Sequence, residues 1–101
     1  MPEGRTVPLP SDAELATLRP DVLAFSTREA LFAGTVVVFN LVMEERALPM
    51  RLEVLRTEVV DKDRRGYKFV SYVSLEQTNS TDRQIIQLFI KKGRGEPRLT
   101  R

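Results

Sequence analysis

At 101 residues the chain is long enough for one domain with a modest core and too short to give two domains a core each. Its 42% apolar and 30% charged residues suit an ordinary soluble globular protein, and no apolar run approaches the roughly 20 residues of a membrane-spanning helix. Cys and His are both absent, which removes disulfides, thiolate nucleophiles, the commonest general base and the commonest transition-metal ligand. Catalysis would fall to Asp, Glu, Lys or Tyr alone, so a non-enzymatic protein without cofactor or metal is expected. The N-terminus "MPEGRTVPLP" lacks the charged and apolar segments of a secretion signal, and the expected location is cytoplasmic.

The net charge of +2 is unevenly placed: "KKGRGEPRLTR", residues 91–101, carries +4 and leaves −2 for the body. A basic tail over residues 93–101 can attract phosphate or an acidic surface, but reads first as a solvated terminus. The body has no aromatic and basic stripe, so nucleic acid is not an expected partner.

Residues 1–20 hold four of the six prolines, and residues 1–16 read as an irregular segment. Within them "SDAELATL" has the form of one or two helical turns, capped by Ser11 with Glu14 as its reciprocal partner and ended by Pro20. "VLAFST", residues 22–27, predicts a strand, and "EALFAG" a turn ending in Gly34. "TVVVFNLVM", residues 35–43, is the strongest strand signal, with Thr35, Val37, Phe39, Leu41 and Met43 on one face and Val36, Val38, Asn40 and Val42 on the other. Two apolar faces imply a central strand or one covered by the C-terminal helix. If Val36, Val38 and Val42 are uncovered, they form a stripe suited to a homodimer.

"EERALP" reverses the chain, and "MRLEVLRTEVV" pairs back as a long antiparallel strand. Its alternation slips: Met50, Leu52 and Val54 share one parity, whereas Leu55, Thr57 and Val59 share the other. One extra residue near Val54–Leu55 repairs this and predicts a bulge that bends the strand. The charge run Asp61 to Arg65 makes the next turn, and Gly66 starts a strand with Tyr67, Phe69, Val73 and Leu75 on one face. In "NSTDRQIIQLFIKKG", Thr81 and Gln84 form a capping-box pattern, Ile85, Ile86, Phe89 and Ile90 an apolar stripe, and Lys91, Lys92 and Gly93 a stop, giving a helix over about 82–92. The succession predicts a mainly β domain spanning 1–101, a small antiparallel β-barrel built as a meander and closed or plugged by one C-terminal α-helix.

"LAFSTREALFAGTVVVFNL", "GYKFV" and "TDRQIIQLFIKK" together resemble the PilZ family over roughly residues 17–92. The resemblance implies a split-barrel type fold and, in many members, reception of the bacterial second messenger cyclic di-GMP. The family grips that dinucleotide with an Arg-x-x-x-Arg loop and a downstream Asp-x-Ser-x-x-Gly turn. Aligning Gly34 with the family's hairpin glycine puts Thr17, Arg19 and Val22 at the Asp, Ser and Gly positions, and the paired-arginine loop is missing, since Arg5 is the one arginine before Arg19. Either the chain is a non-binding member or it lacks an N-terminal portion. Because some family members without the motif are similar in acting as partner-binding modules in motility and pilus machinery, the resemblance implies a regulatory or adaptor domain working through a protein partner. The alternative is a cyclic di-GMP receptor in which Arg5, Arg19 and Arg28 stand in for the motif.

Those three arginines flank the first strand and could form an anion site or simply be solvated. Phe25 and Phe32 beside them could stack a base, or serve the core. Glu44 and Glu45 are adjacent in a turn and point apart, so they make no metal or acid/base pair.

Overall fold

The computed structural model describes residues 5–44, 46–92 and 95–101. Its elements are β1 (Thr6–Pro8), β2 (Glu14–Leu18), β3 (Val22–Thr27), β4 (Val36–Met43), β5 (Arg46–Asp63), β6 (Gly66–Ser74), α1 (Ser80–Lys92) and β7 (Arg98–Thr100). The protein is mainly β, a curled half-barrel sheet with one C-terminal helix, as the alternation of the sequence predicts.

The sheet runs β1-β4-β5-β6-β3-β2. β1 and β7 divide one edge of β4 between them, β1 against Val36–Val38 and β7 against Asn40–Val42, and β2 comes back near β7. Two expectations are corrected here. Only β4, β5 and β6 form a meander; β3 crosses to the far edge of β6, and residues 28–35 carry the chain back to β4. The sheet is also not wholly antiparallel, because β1 lies parallel to β4.

β5 shows why the sheet curls. Eighteen residues of straight strand would reach about 60 Å at roughly 3.3 Å per residue. The longest dimension of the molecule is 37 Å, so the strand must bend. It pairs with β4 as far as Val36 opposite Glu53, then with β6 from Val54 opposite Val73, and the β6 register skips from Val54 to Arg56. Leu55 is thus the extra residue that the broken alternation predicts. A second extra residue, Val60, falls between Val59 and Asp61 where the sequence pattern gives no hint of it. The expected turn at Asp61–Arg65 narrows to Arg64 and Arg65, with Asp61, Lys62 and Asp63 still in the ladder.

The inner faces fill the barrel. Val37, Phe39, Leu41 and Met43 of β4 meet Leu48, Met50, Leu52 and Val54 of β5, with Leu23 and Phe25 of β3 and Val73 of β6 completing the wall. Phe25 and Phe39 stack at a tilt, their centroids 6.4 Å apart. Helix α1 plugs the core with Ile86, which is buried, while Ile85, Phe89 and Ile90 pack around it. The helix begins two residues earlier than the capping-box pattern implies. Asn79 is the cap: its Oδ1 accepts from the Asp82 backbone N–H at 2.8 Å, and its amide donates to the Asp82 carboxylate at 3.1 Å. The expected stop at Gly93 lies outside the described residues.

The ends of the chain depart most from expectation. "SDAELATL" supplies β2 and no helical turn: Leu15 pairs with Phe25 and Leu18 with Leu23, burying on β3 an apolar spacing that fits either period. Residues 6–8, expected to be irregular, pair as β1, and Arg98–Thr100, expected in a solvated tail, pair as β7. Arg101 is tied down as well, its Nε donating to the Leu9 carbonyl at 2.7 Å and its own carbonyl accepting from Asn40 Nδ2 at 3.0 Å. The outer valines of β4 are not under the helix, yet the stripe is interrupted. Arg51 of β5 reaches Thr6 Oγ1 of β1 at 3.3 Å, so its side chain spans β4, and Val38 stays 40% exposed while Val36 and Val42 are half-buried.

Candidate functional site

The bulge at Leu55 builds the first concave site. An extra residue re-aims the side chains beside it: Leu55 stands outward, and the Arg56 guanidinium lies over the Tyr72 ring, 4.4 Å from its centroid. Across from them the β2–β3 turn is closed by the Arg19 N–H donating to the Val22 carbonyl at 2.9 Å. Thr17, Arg19 and Val22 then form the opposite wall of a cleft of about 440 Å³ shared with Leu55, Arg56 and Tyr72. Two guanidinium groups and one aromatic face suit a ligand with phosphate and a flat ring. No carboxylate lines the cleft, and Arg56 already has an exposed ion pair with Glu58 at 3.4 Å.

Arg28 is placed quite differently. Its two terminal nitrogens fork onto Asp63 at 2.9 and 2.7 Å, one of them also meets the Gly66 carbonyl at 3.3 Å, and its backbone N–H donates to Asp12 at 2.8 Å. The guanidinium holds the Asp63 carboxyl below its usual range, helped by the Arg65 backbone N–H, and Asp63 in turn raises Arg28 above its own. Arg28 therefore fastens the β5–β6 hairpin tip to the end of β3. A cavity of about 140 Å³ beside it mixes both signs of charge, with Asp12 and Glu14 facing Arg65 and Lys68.

The three arginines singled out from the sequence do not converge. Arg19 and Arg28 lie at opposite ends of β3, whose six residues span about 20 Å. Arg5 heads β1 on the far edge of β4, exposed, its carbonyl accepting from the Val36 N–H at 2.7 Å. Of the two phenylalanines, Phe25 is core and Phe32 is 80% exposed. Sequence reasoning missed Arg56 as the partner of Arg19, although the predicted bulge was the signal that its neighbour would be re-aimed.

A second concave site lies between α1 and the β4–β5 turn. Met43, Ile85, Leu88 and Phe89 make its floor and Glu44, Arg46 and Lys92 its rim, enclosing about 440 Å³. Leu88 points away from the core face of the helix and is 56% exposed. Glu44 takes φ 56° to reverse the chain, so Met43 pairs directly with Arg46 and both stand beside the helix.

Among the described residues no cluster of three or more His, Cys, Asp or Glu could hold a metal ion, and no helix is long and apolar enough to cross a membrane. No family model, curated protein or solved structure matches the chain.

Proposed function

We propose that this chain is a non-catalytic regulatory or adaptor domain of PilZ type, acting in the bacterial cytoplasm by holding a protein partner in signalling or motility. The observation that carries this reading is the recessed apolar groove between α1 and the β4–β5 turn, where Leu88 is 56% exposed beside Met43 and Phe89. A small domain that leaves a large apolar side chain in a charged-rimmed recess gains by covering it with another surface. Calorimetric titration with cyclic di-GMP tests the reading: no heat up to several hundred micromolar is expected, and micromolar binding would overturn a partner-only role.

The second reading, a cyclic di-GMP receptor with a non-standard arginine site, is favoured by one observation. Thr17, Arg19 and Val22, aligned with the family's ligand turn, line one cleft with Arg56 and Tyr72. On this reading Arg19 and Arg56 take phosphates and Tyr72 a guanine, and Arg19→Ala or Arg56→Ala weakens binding at least tenfold. Arg28→Ala leaves the affinity unchanged, because Arg28 is committed to Asp63.

A further inference from the structure

We infer that the groove on α1 takes an amphipathic, acidic helix of the partner protein, with its apolar anchors over Leu88. This rests on the adaptor reading and supplies the chemistry of its partner. The groove reaches Lys92, and Leu88 also lines an adjoining recess of about 300 Å³ with Gln84, Gln87 and Lys91, roughly a quarter turn round the helix. From Ile85 to Lys92 the groove follows the helix for seven residues, about 10 Å at 1.5 Å per residue, which is two turns of a second helix laid alongside. Two turns place apolar side chains at i, i+3 or i+4, and i+7 on one face, the spacing with which helices enter grooves.

Charge decides the sign of the partner. Arg46 stands on the hairpin wall and Lys91 and Lys92 on the helix wall, against Glu44 among the lining residues. Carboxylates flanking the apolar anchors would meet three cations, and a basic helix would meet the same three as repulsion. Shape separates a protein from a lipid surface. Met43 is 3% exposed and lies at the bottom of the recess, and of its apolar lining Leu88 alone is exposed, whereas insertion into a bilayer needs several apolar side chains that project.

The test uses the full chain, uniformly 15N-labelled, and three probes. The first is a 14-residue helix-forming peptide with Leu at i, i+3, i+7 and i+10 and Glu or Ala elsewhere. The second replaces its Glu residues with Lys, and the third is vesicles of phosphatidylglycerol. We expect the acidic peptide to shift the amide resonances of Met43, Arg46, Leu88 and Phe89, and to bind at least tenfold more tightly than the basic one. Raising salt from 50 to 300 mM should weaken it severalfold. Leu88→Glu should reduce its affinity at least tenfold while an unchanged melting curve shows that the fold survives, as expected for a side chain that is 56% exposed. Lys92→Glu should weaken the acidic peptide and strengthen the basic one. Absence of shifts at millimolar peptide, equal affinity for both peptides, or vesicle binding lost in Leu88→Glu would each overturn the proposal. A cyclic di-GMP titration on the same sample keeps the two readings apart: shifts around Arg19 and Tyr72 refute the partner-only role without touching the groove, and a failed peptide titration refutes the acidic helix as its occupant while leaving the adaptor role to a partner of other chemistry.

Discussion

One strand serves two regions of this molecule, and they differ sharply. Residues 46–54 of β5 lie in the barrel wall, where Leu48, Met50, Leu52 and Val54 are all buried with exposed residues between them. Residues 55–63 leave the wall as half of a hairpin arm in which Leu55, Val59 and Val60 are each at least half exposed. The arm is more charged, with Arg56, Glu58, Asp61, Lys62 and Asp63 against Arg46, Arg51 and Glu53 in the wall, yet it still carries Leu55, Val59 and Val60. What changes is the partner: β4 pairs with β5 up to Glu53 and β6 takes over from Val54, carrying the arm beyond the buried core, with Thr57 Oγ1 donating to the Leu31 carbonyl at its root. Burial here follows from where the strand lies relative to the core as much as from hydrophobicity, and the two halves should answer mutation differently.

The contrast is widest in the wall. Phe39→Ala should cost about 3–5 kcal/mol in urea unfolding, since Phe39 is 2% exposed and packs on Phe25. A loss below 1 kcal/mol would show that the wall collapses around the cavity and is no stiffer than the arm. At the boundary, deleting Leu55 should be far worse than truncating it. Deletion leaves a regular ladder from Val54 to Arg56 that no longer bends between β4 and β6, whereas Leu55→Ala should stay within about 0.5 kcal/mol because the side chain is 52% exposed. Equal unfolding midpoints for the two variants would refute the role given to the bulge.

Inside the root of the arm, Thr57→Val removes the hydroxyl that meets both the Leu31 carbonyl and Ser71 Oγ, and Ser71 is fully buried. A loss of about 2 kcal/mol is expected by chemical denaturation. At the tip, Gly66 holds φ +107° with nothing within 4 Å of where a Cβ would stand. Gly66→Ala therefore pays for conformation alone, about 1 kcal/mol, and should show first as faster amide exchange at Arg65 to Lys68.

The smallest effect is electrostatic. The Asp63 carboxyl titrates below its ordinary value near 3.8 in the folded chain, so its tie to Arg28 is present in full above that value and is lost as pH falls through the lowered one. Both side chains are partly exposed, so the tie should govern the local opening of the arm more than global stability. Exchange at the tip should rise on acidification in the parent and be raised already at pH 7 in Asp63→Asn. Identical exchange in the two proteins at pH 7 would mean the arm is held by its ladder alone.

Legibility in the sequence follows the same division. β3 and β4, the bulge at Leu55 and the apolar stripe of α1 could be read because each is written in consecutive residues whose alternation or helical period survives in the fold. β1, β2 and β7 could not, since strands of three and five residues carry too little pattern and are specified by the edges they meet. Thr6 finds Val36, and Thr100 finds Asn40. For Arg28 the sequence leaves an anion site or a solvated side chain open and hides its ion pair, because Asp63 lies 35 residues away. The Arg19 and Arg56 cleft joins a turn and a bulge that sequence order keeps apart, and the groove on α1 depends on the β4–β5 turn standing beside Leu88, which the helix sequence alone does not reveal.

The shared edge of β4 also sets an order in time. Residues 40–42 leave the ribosome about 60 residues ahead of Thr100, Leu99 and Arg98, which will pair with them. At 5–20 residues per second that is roughly 3–12 s of synthesis. During those seconds the most apolar strand of the chain presents bare N–H and C=O groups along half of one side, so a nascent chain has more need of a chaperone's cover than the finished fold would suggest.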